Sequence, residues 1–227
     1  MDQKLAWEKE YKNPTFLTKE MEPQADTVRF FKFLKKEEKF AFEGKKLIDL
    51  GCGTGRNSFY ATELGLEATG IDISKTAIAE GAEYAKAHNI KVNLSVGSIG
   101  EKLTQEDESF DVVLDVTSSN SLTEQEREIY FEEMHRVLKP GGYVYVKALC
   151  KDGDSNAKEL LKRFPGPEKD TYVLPEQKIV ERVWTKKDIS DFYARKFNIR
   201  NLEMKESYTT MGDRRYKRRF WICYMQK

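Results

Sequence analysis

Apolar residues along the chain gather in short runs separated by stretches of helical period. Lys46–Leu50, Glu67–Ile73, Lys91–Val96, Phe110–Val116 and Tyr143–Leu149 each read as a strand. Between them the period changes. Arg56 to Leu64 is helical, and Ser74 caps a second helix whose Ala77, Ile78, Gly81, Tyr84, Ala85 and His88 share one face. Thr123 and Glu126 have capping-box spacing, and the helix they open buries Tyr130, Met134, Val137 and Leu138 before Pro140-Gly141-Gly142 ends it. Strands alternating with helices at this spacing predict an α/β fold with a parallel sheet wound on both faces.

The two ends depart from that alternation. Residues 150–180 carry Gly153, Pro165, Gly166, Pro167 and Pro175 and read as an insertion with one short helix at Asn156–Arg163. A further helix follows the Thr185 cap, with Ile189, Phe192, Tyr193 and Phe197 facing inward, and two strands close the chain near Ile199–Ser207 and Tyr216–Gln226. Phe220–Met225 is apolar at every position, as in a strand covered on both faces, so the last strand must be inserted inside the sheet.

Residues 1–40 form an N-terminal arm too aromatic for a disordered tail: Trp7, Tyr11, Phe16, Phe30, Phe31, Phe33 and Phe40. Val28, Phe31 and Leu34 predict a helix from about Pro23 to Lys36, and the piece before it, with a turn at Asn13-Pro14, reads as a lid or a core-covering arm. The remainder, 41–227, reads as a single domain.

Composition narrows the function classes. At 227 residues, with 34% charged and 39% hydrophobic, the chain supports one substantial core and a well-solvated surface. A net charge of +1 provides no global field toward nucleic acid or an anionic membrane, and the one dense basic run, Arg214–Arg219, reads as the solvated start of the last strand. Cys52, Cys150 and Cys223 have neither disulfide nor metal-pair spacing. With no apolar run of signal-peptide or membrane-spanning character, the expectation is a cytoplasmic protein with no membrane partner and no metal site.

The chemistry concentrates where the first strand meets Gly51, Gly53 and Gly55. Glycines let a ligand lie against the main chain, and the helix behind them offers unpaired N–H groups. A nicotinamide-binding loop wants its third glycine where this chain has Arg56, which weakens a dehydrogenase reading. Asp72, ending the second strand, can accept hydrogen bonds from both hydroxyls of a ribose.

Assembled, these segments resemble the class I S-adenosylmethionine-dependent methyltransferases. The resemblance rests on Leu47-Ile48-Asp49-Leu50-Gly51-Cys52-Gly53-Thr54-Gly55, Gly70-Ile71-Asp72-Ile73-Ser74, Phe110-Asp111-Val112-Val113 and Arg136-Val137-Leu138-Lys139-Pro140-Gly141-Gly142, which span residues 44–149 in order. It implies a Rossmann-like, doubly wound, seven-stranded sheet of order 3-2-1-4-5-7-6 whose last strand is antiparallel. It also implies that S-adenosyl-L-methionine binds and leaves as S-adenosyl-L-homocysteine. Gly51, Gly53 and Gly55, with Cys52 among them, would back the methionine and ribose, and Asp49 would brace the loop or reach the amino group through water. Asp72, with Ile73 beside it, would hold the ribose, and Arg56 would meet the carboxylate. Ser98 stands where the family usually has an acid for the adenine amino group, leaving the Ile99 main chain as the adenine contact. Asp115 and Val116 would end the fourth strand beside the reacting methyl.

Methyl transfer from a sulfonium needs alignment and exclusion of water more than a base. Tyr11, Asp115 and Asn120 are the residues best placed to meet an acceptor, while His88 and His135 read as structural. The chain has neither the Pro-Pro-aromatic loop of amino-methylating nucleic-acid enzymes nor a Pro-Cys nucleophile after the fourth strand. The acceptor expected is therefore a small molecule methylated at oxygen, nitrogen or sulfur. An RNA or protein substrate reached through the basic run, and a non-catalytic cofactor-binding protein, are the alternatives.

Overall fold

The computed structural model describes residues 3–15, 20–211 and 214–227. Phe16 of the arm, and the side chains of Arg214 and Arg215 in the basic run, lie outside the described residues. The main sheet runs β3 (Val92–Val96), β2 (Glu67–Asp72), β1 (Lys46–Leu50), β4 (Phe110–Val116), β5 (Leu138–Leu149), β9 (Arg214–Gln226), β8 (Asn198–Met211). Its first five strands are parallel, and β9 is antiparallel to both neighbours. This is the expected order, with β8 and β9 as the sheet's sixth and seventh strands.

Phe220–Met225 explains why the last strand lies inside. Trp221, Cys223 and Met225 join the core on one face, under α5 (Glu124–Val137) and α7 (Lys186–Tyr193). Ile222 and Tyr224 join the opposite core, against Phe30 and Leu34 of α2 (Ala25–Lys36) and Ala61 of α3 (Arg56–Glu63). A strand apolar at every position satisfies both cores only when flanked and covered on both faces. Helix starts follow their capping residues: Ser74 Oγ accepts from Ala77 N ahead of α4 (Lys75–Ala87), and Thr123 and Glu126 form the reciprocal box of α5.

Three features depart from expectation. The residues before Asn13 form a helix, α1 (Gln3–Lys12). The insertion contains, besides α6 (Ser155–Arg163), a two-stranded antiparallel sheet of β6 (Thr171–Val173) and β7 (Val180–Arg182). The fifth strand starts at Leu138, before the Pro-Gly-Gly segment, and a register shift between Phe110 and Val112 takes up the extra residues.

Arm and insertion share a third small core, in which Ala6 meets Tyr172, Ile179 and Val183, with Trp7 packed against them. Gln3 Oε1 accepts from Val180 N at 2.9 Å, and Gln177 Nε2 donates to Thr15 Oγ1 at 2.6 Å. On the sheet side, Lys147 of β5 pairs with Asp26 at 2.8 Å and lies over the Phe220 ring, tying α2 to the strands. The chain order reverses between β1 and β4, and in open α/β sheets ligands bind outside the strand ends at such a point.

Candidate active site

At that reversal lies a cavity of about 550 Å³, walled by the loops after β1, β2, β3 and β4 and roofed by α1. The volume falls in the range of small-molecule sites. The loop after β1 is hung on β2, with Gly51 N and Cys52 N both donating to Ile71 O, at 2.7 and 2.9 Å. Gly51 and Gly53 have φ of 75° and 59°, which favours glycine. A Cβ at Gly51 would strike Ser118 at 2.2 Å, and one at Gly53 would stand 2.6 Å from the Tyr11 hydroxyl. Both backbones thus tolerate close neighbours because no side chain intervenes.

Asp72 is buried at the base of this loop. Its Oδ2 accepts from Gly53 N and its Oδ1 from Ser74 N, each at 2.8 Å. Burial raises its pKa to about 6, against the pull of those two N–H groups. Tyr11 lies close enough for the Asp72 charge to act on it. Burial first, then that charge, lifts the phenol well above its ordinary pKa, so the hydroxyl stays protonated. Cys52 is likewise held as the thiol by burial.

The structure brings Tyr11, Gly51, Cys52, Gly53, Arg56, Asp72, Ile73, Ser98, Ile99 and Val116 to the cavity wall. It leaves Asp49, Gly55, Asp115 and Asn120 out of it. Asp49 is buried beneath the loop, accepting from Ser58 Oγ at 2.8 Å, and burial lifts its pKa to about 7. Gly55 precedes α3, and its missing Cβ faces Phe59 and Leu94, so it packs against the core.

Asp115 stands off the cavity wall. It accepts from Tyr130 OH at 2.7 Å and from Ser118 N at 2.9 Å, is fully buried, and belongs to the packing under the sheet. Successive strand residues point to opposite faces, so Val116 reaches the cavity and Asp115 does not. Asn120 also stands off the wall: it donates to Thr117 O at 3.1 Å and accepts from Leu149 N at 3.3 Å, pinning the loop after β4 to β5. The histidines are held locally. His88 Nδ1 lies 2.9 Å from Tyr84 O at the cavity mouth, and His135 stands edge-on to Phe197.

Several wall residues were not legible as site residues in the sequence. Trp7 and Met21 supply apolar surface from the arm, and Gln24 donates its N–H to Asn57 Oδ1 at 3.0 Å. Ser118 Oγ donates to Gly51 O at 2.9 Å, closing the loops after β1 and β4 on each other. Thr117, a β-branched residue at φ 70°, is a strained backbone position at the cavity edge. The Ser121 hydroxyl is buried at the wall without a hydrogen-bond partner. Among the described residues, no group of three or more His, Cys, Asp or Glu is arranged to hold a metal ion, and no helix is long and apolar enough to cross a membrane.

Comparison with known proteins agrees with this architecture. Residues 41–206 match the methyltransferase domain family. The phthiotriol/phenolphthiotriol dimycocerosates methyltransferase 1 of Mycobacterium ulcerans is 33% identical over 144 residues, 62% of this chain and 51% of that protein. The phosphoethanolamine N-methyltransferase of Triticum aestivum is 30% identical over 118 residues, 52% of this chain and 23% of that protein. The chain thus spans between about a quarter and a half of these curated relatives. A SAM-dependent methyltransferase structure from Methanosarcina mazei superposes with a TM-score of 0.72 at 26% identity, covering 82% of this chain and 93% of that one. The chain belongs to the S-adenosylmethionine-dependent methyltransferase family.

Proposed function

We propose that the chain transfers a methyl group from S-adenosyl-L-methionine to a small-molecule acceptor at oxygen, nitrogen or sulfur. One observation carries the reading: a glycine loop, the buried Asp72 carboxylate and the Arg56 guanidinium line a single cavity at the strand-order reversal. The residues fit the donor. Asp72 keeps acceptor capacity for two ribose hydroxyls beyond its two backbone bonds, Gly53 presents bare main chain, and Arg56 suits a carboxylate. When bound, the donor supplies a methyl carbon already activated by its sulfonium.

The chain's own part is alignment and exclusion of water. Trp7 and Tyr11 of α1 cover the cavity, and the protonated Tyr11 can donate a hydrogen bond but not serve as a phenolate base. The α1 segment of the arm acts as the lid, and the insertion at 150–180 grips it through the bonds of Gln3 and Gln177. A roof of this kind favours a small acceptor. The name of the Triticum aestivum relative, a phosphoethanolamine N-methyltransferase, points the same way. The basic run gives little support to an RNA substrate, since Lys217 and Arg219 pair with Glu206 and Arg218 is buried against Tyr172. Three free, buried cysteines accord with a reducing, cytoplasmic setting.

The test is incubation with methyl-labelled donor and an extract of the source organism. Label in the small-molecule fraction supports the reading. Label confined to RNA or protein, or no calorimetric binding of S-adenosylhomocysteine, overturns it.

A further inference from the structure

We infer that Glu126 reads the amino edge of the donor's purine ring, a task for which the part of the loop after β3 that lines the cavity, Gly97-Ser98-Ile99, supplies no acid. The inference rests on the assignment of the cavity to S-adenosylmethionine.

Asp72 marks the ribose, so the ring lies further along the wall, past Ile73 toward the loop that carries Gly97, Ser98 and Ile99. Ser98 is turned back into its own loop, its Oγ accepting from Gly100 N at 3.2 Å. The start of α5 closes this end of the cavity. A Cβ on Gly100 would stand 2.8 Å from Glu126 Cβ and 3.1 Å from Leu122 Cδ2, so both residues abut the loop after β3, and both line the cavity. Ile73, Ile99 and Leu122 together make an apolar surface suited to a flat ring, with a carboxylate beside it.

Glu126 is the first-turn acid of the capping box, and the cap occupies only half of its carboxylate. Oε2 accepts from Thr123 N and from Thr123 Oγ1, each at 2.8 Å, while Oε1 takes no part in the cap. The cap thereby fixes the side chain and leaves one anionic oxygen for a second partner. An ionised carboxylate only accepts hydrogen bonds, so it matches the exocyclic amine of adenine and opposes the carbonyl that replaces it in hypoxanthine. Glu126 is thus a residue that selects an amino purine over an oxo purine.

Calorimetric titration with S-adenosylhomocysteine and its deaminated analogue S-inosylhomocysteine tests this. Wild type is expected to prefer the adenosyl compound by about ten-fold or more, as one charge-assisted hydrogen bond implies. Glu126→Gln, whose amide can both accept and donate, is expected to bring the two affinities close together. Thr123→Ala, which removes the cap hydroxyl but keeps the backbone N–H that holds the Glu126 carboxylate, is expected to retain the preference. A wild type without preference, or a Glu126→Gln protein with the wild-type ratio, overturns the inference. So does equal loss of preference in both variants, which would implicate the capped helix start and not the carboxylate. Failure of wild type to bind either compound overturns the assignment of the cavity itself, and this inference with it.

Discussion

The Glu8 carboxylate accepts a hydrogen bond from the Ser74 hydroxyl at 2.7 Å, and Ser74 N in turn donates to Asp72 Oδ1 at 2.8 Å. Glu8 also accepts from Thr76 Oγ1 at 2.7 Å and from Thr76 N at 3.3 Å, so it sits at the start of α4, where a negative charge is favoured. Helix α1 is therefore hooked to the segment that positions the Asp72 carboxylate.

Glu8→Ala is expected to weaken docking of α1 by about 1–3 kcal/mol, the scale of lost hydrogen bonds to a charged group. Faster amide exchange across residues 3–12 and weaker S-adenosylhomocysteine binding are the readouts. Hydrogen bonds, with that from the Thr76 hydroxyl foremost, hold the Glu8 pKa near 2. A depressed carboxylate contributes stability above its unfolded pKa and loses it as pH falls through the folded one. The hook should therefore hold unchanged from pH 5 to pH 8, and exchange rates in α1 that rise over that window, once corrected for intrinsic pH dependence, would count against it.

Asp72→Ala should lower S-adenosylhomocysteine affinity by about 1.5–3 kcal/mol, the range for hydrogen bonds to a charged acceptor. The pH dependence follows from its raised pKa of about 6. Ribose hydroxyls donate to the ionised carboxylate, so affinity should fall as pH drops through about 6 and level off above 7. Isothermal titration between pH 5 and pH 8 reads the effect directly, and Asp72→Asn should flatten the profile at a lower affinity.

Asp49 makes an opposite demand on the fold. Burial lifts its pKa to about 7, against about 3.9 in an unfolded chain. The folded state then holds a proton that the unfolded state has released, so this group's contribution is complete below about pH 4 and is lost as pH rises to about 7. Asp49→Asn keeps an acceptor for Ser58 without the charge. It should melt above wild type at pH 8, with the difference shrinking toward pH 5.

The sheet was legible because its strands are written in apolar runs and its helices begin at Ser74, Thr123 and Thr185, residues whose side chains do the capping seen in the structure. The α1 helix was not. Its apolar residues set no helical stripe, and what holds it are Gln3 and Glu8, bonded to partners 177 and 66 residues away. The β6 and β7 strands, each of three residues, are too short to display an alternation. At the site, the glycine loop and Asp72 were readable from residue type and spacing. The facing of Asp115 was not legible, because the end of a strand places two neighbours on opposite faces, and its partner Tyr130 lies on a helix 15 residues further on. Glu126 looked complete as a capping residue, and its nearness to Gly100 exists only in the folded chain.

Gly53 and Tyr11 permit a test of the roof over the glycine loop. At φ 59°, alanine at position 53 meets two costs: a left-handed backbone, about 1–2 kcal/mol for a residue with a Cβ, and a Cβ 2.6 Å from the Tyr11 hydroxyl. The backbone cost is independent of Tyr11, whereas the clash is not. The Tyr11 ring carbon that bears the hydroxyl stands 3.6 Å from the same point, an ordinary contact, so Tyr11→Phe removes the clash without moving the ring. Gly53→Ala alone should therefore displace α1, seen as greater exposure of Trp7 to a fluorescence quencher. In the Tyr11→Phe background the same substitution should leave α1 docked and retain only the backbone cost. A double-mutant cycle on thermal stability then gives a coupling well above the few tenths of a kcal/mol expected for independent sites. Strict additivity would mean that Tyr11 does not lie over Gly53 in solution, and the lid would have to close by another contact.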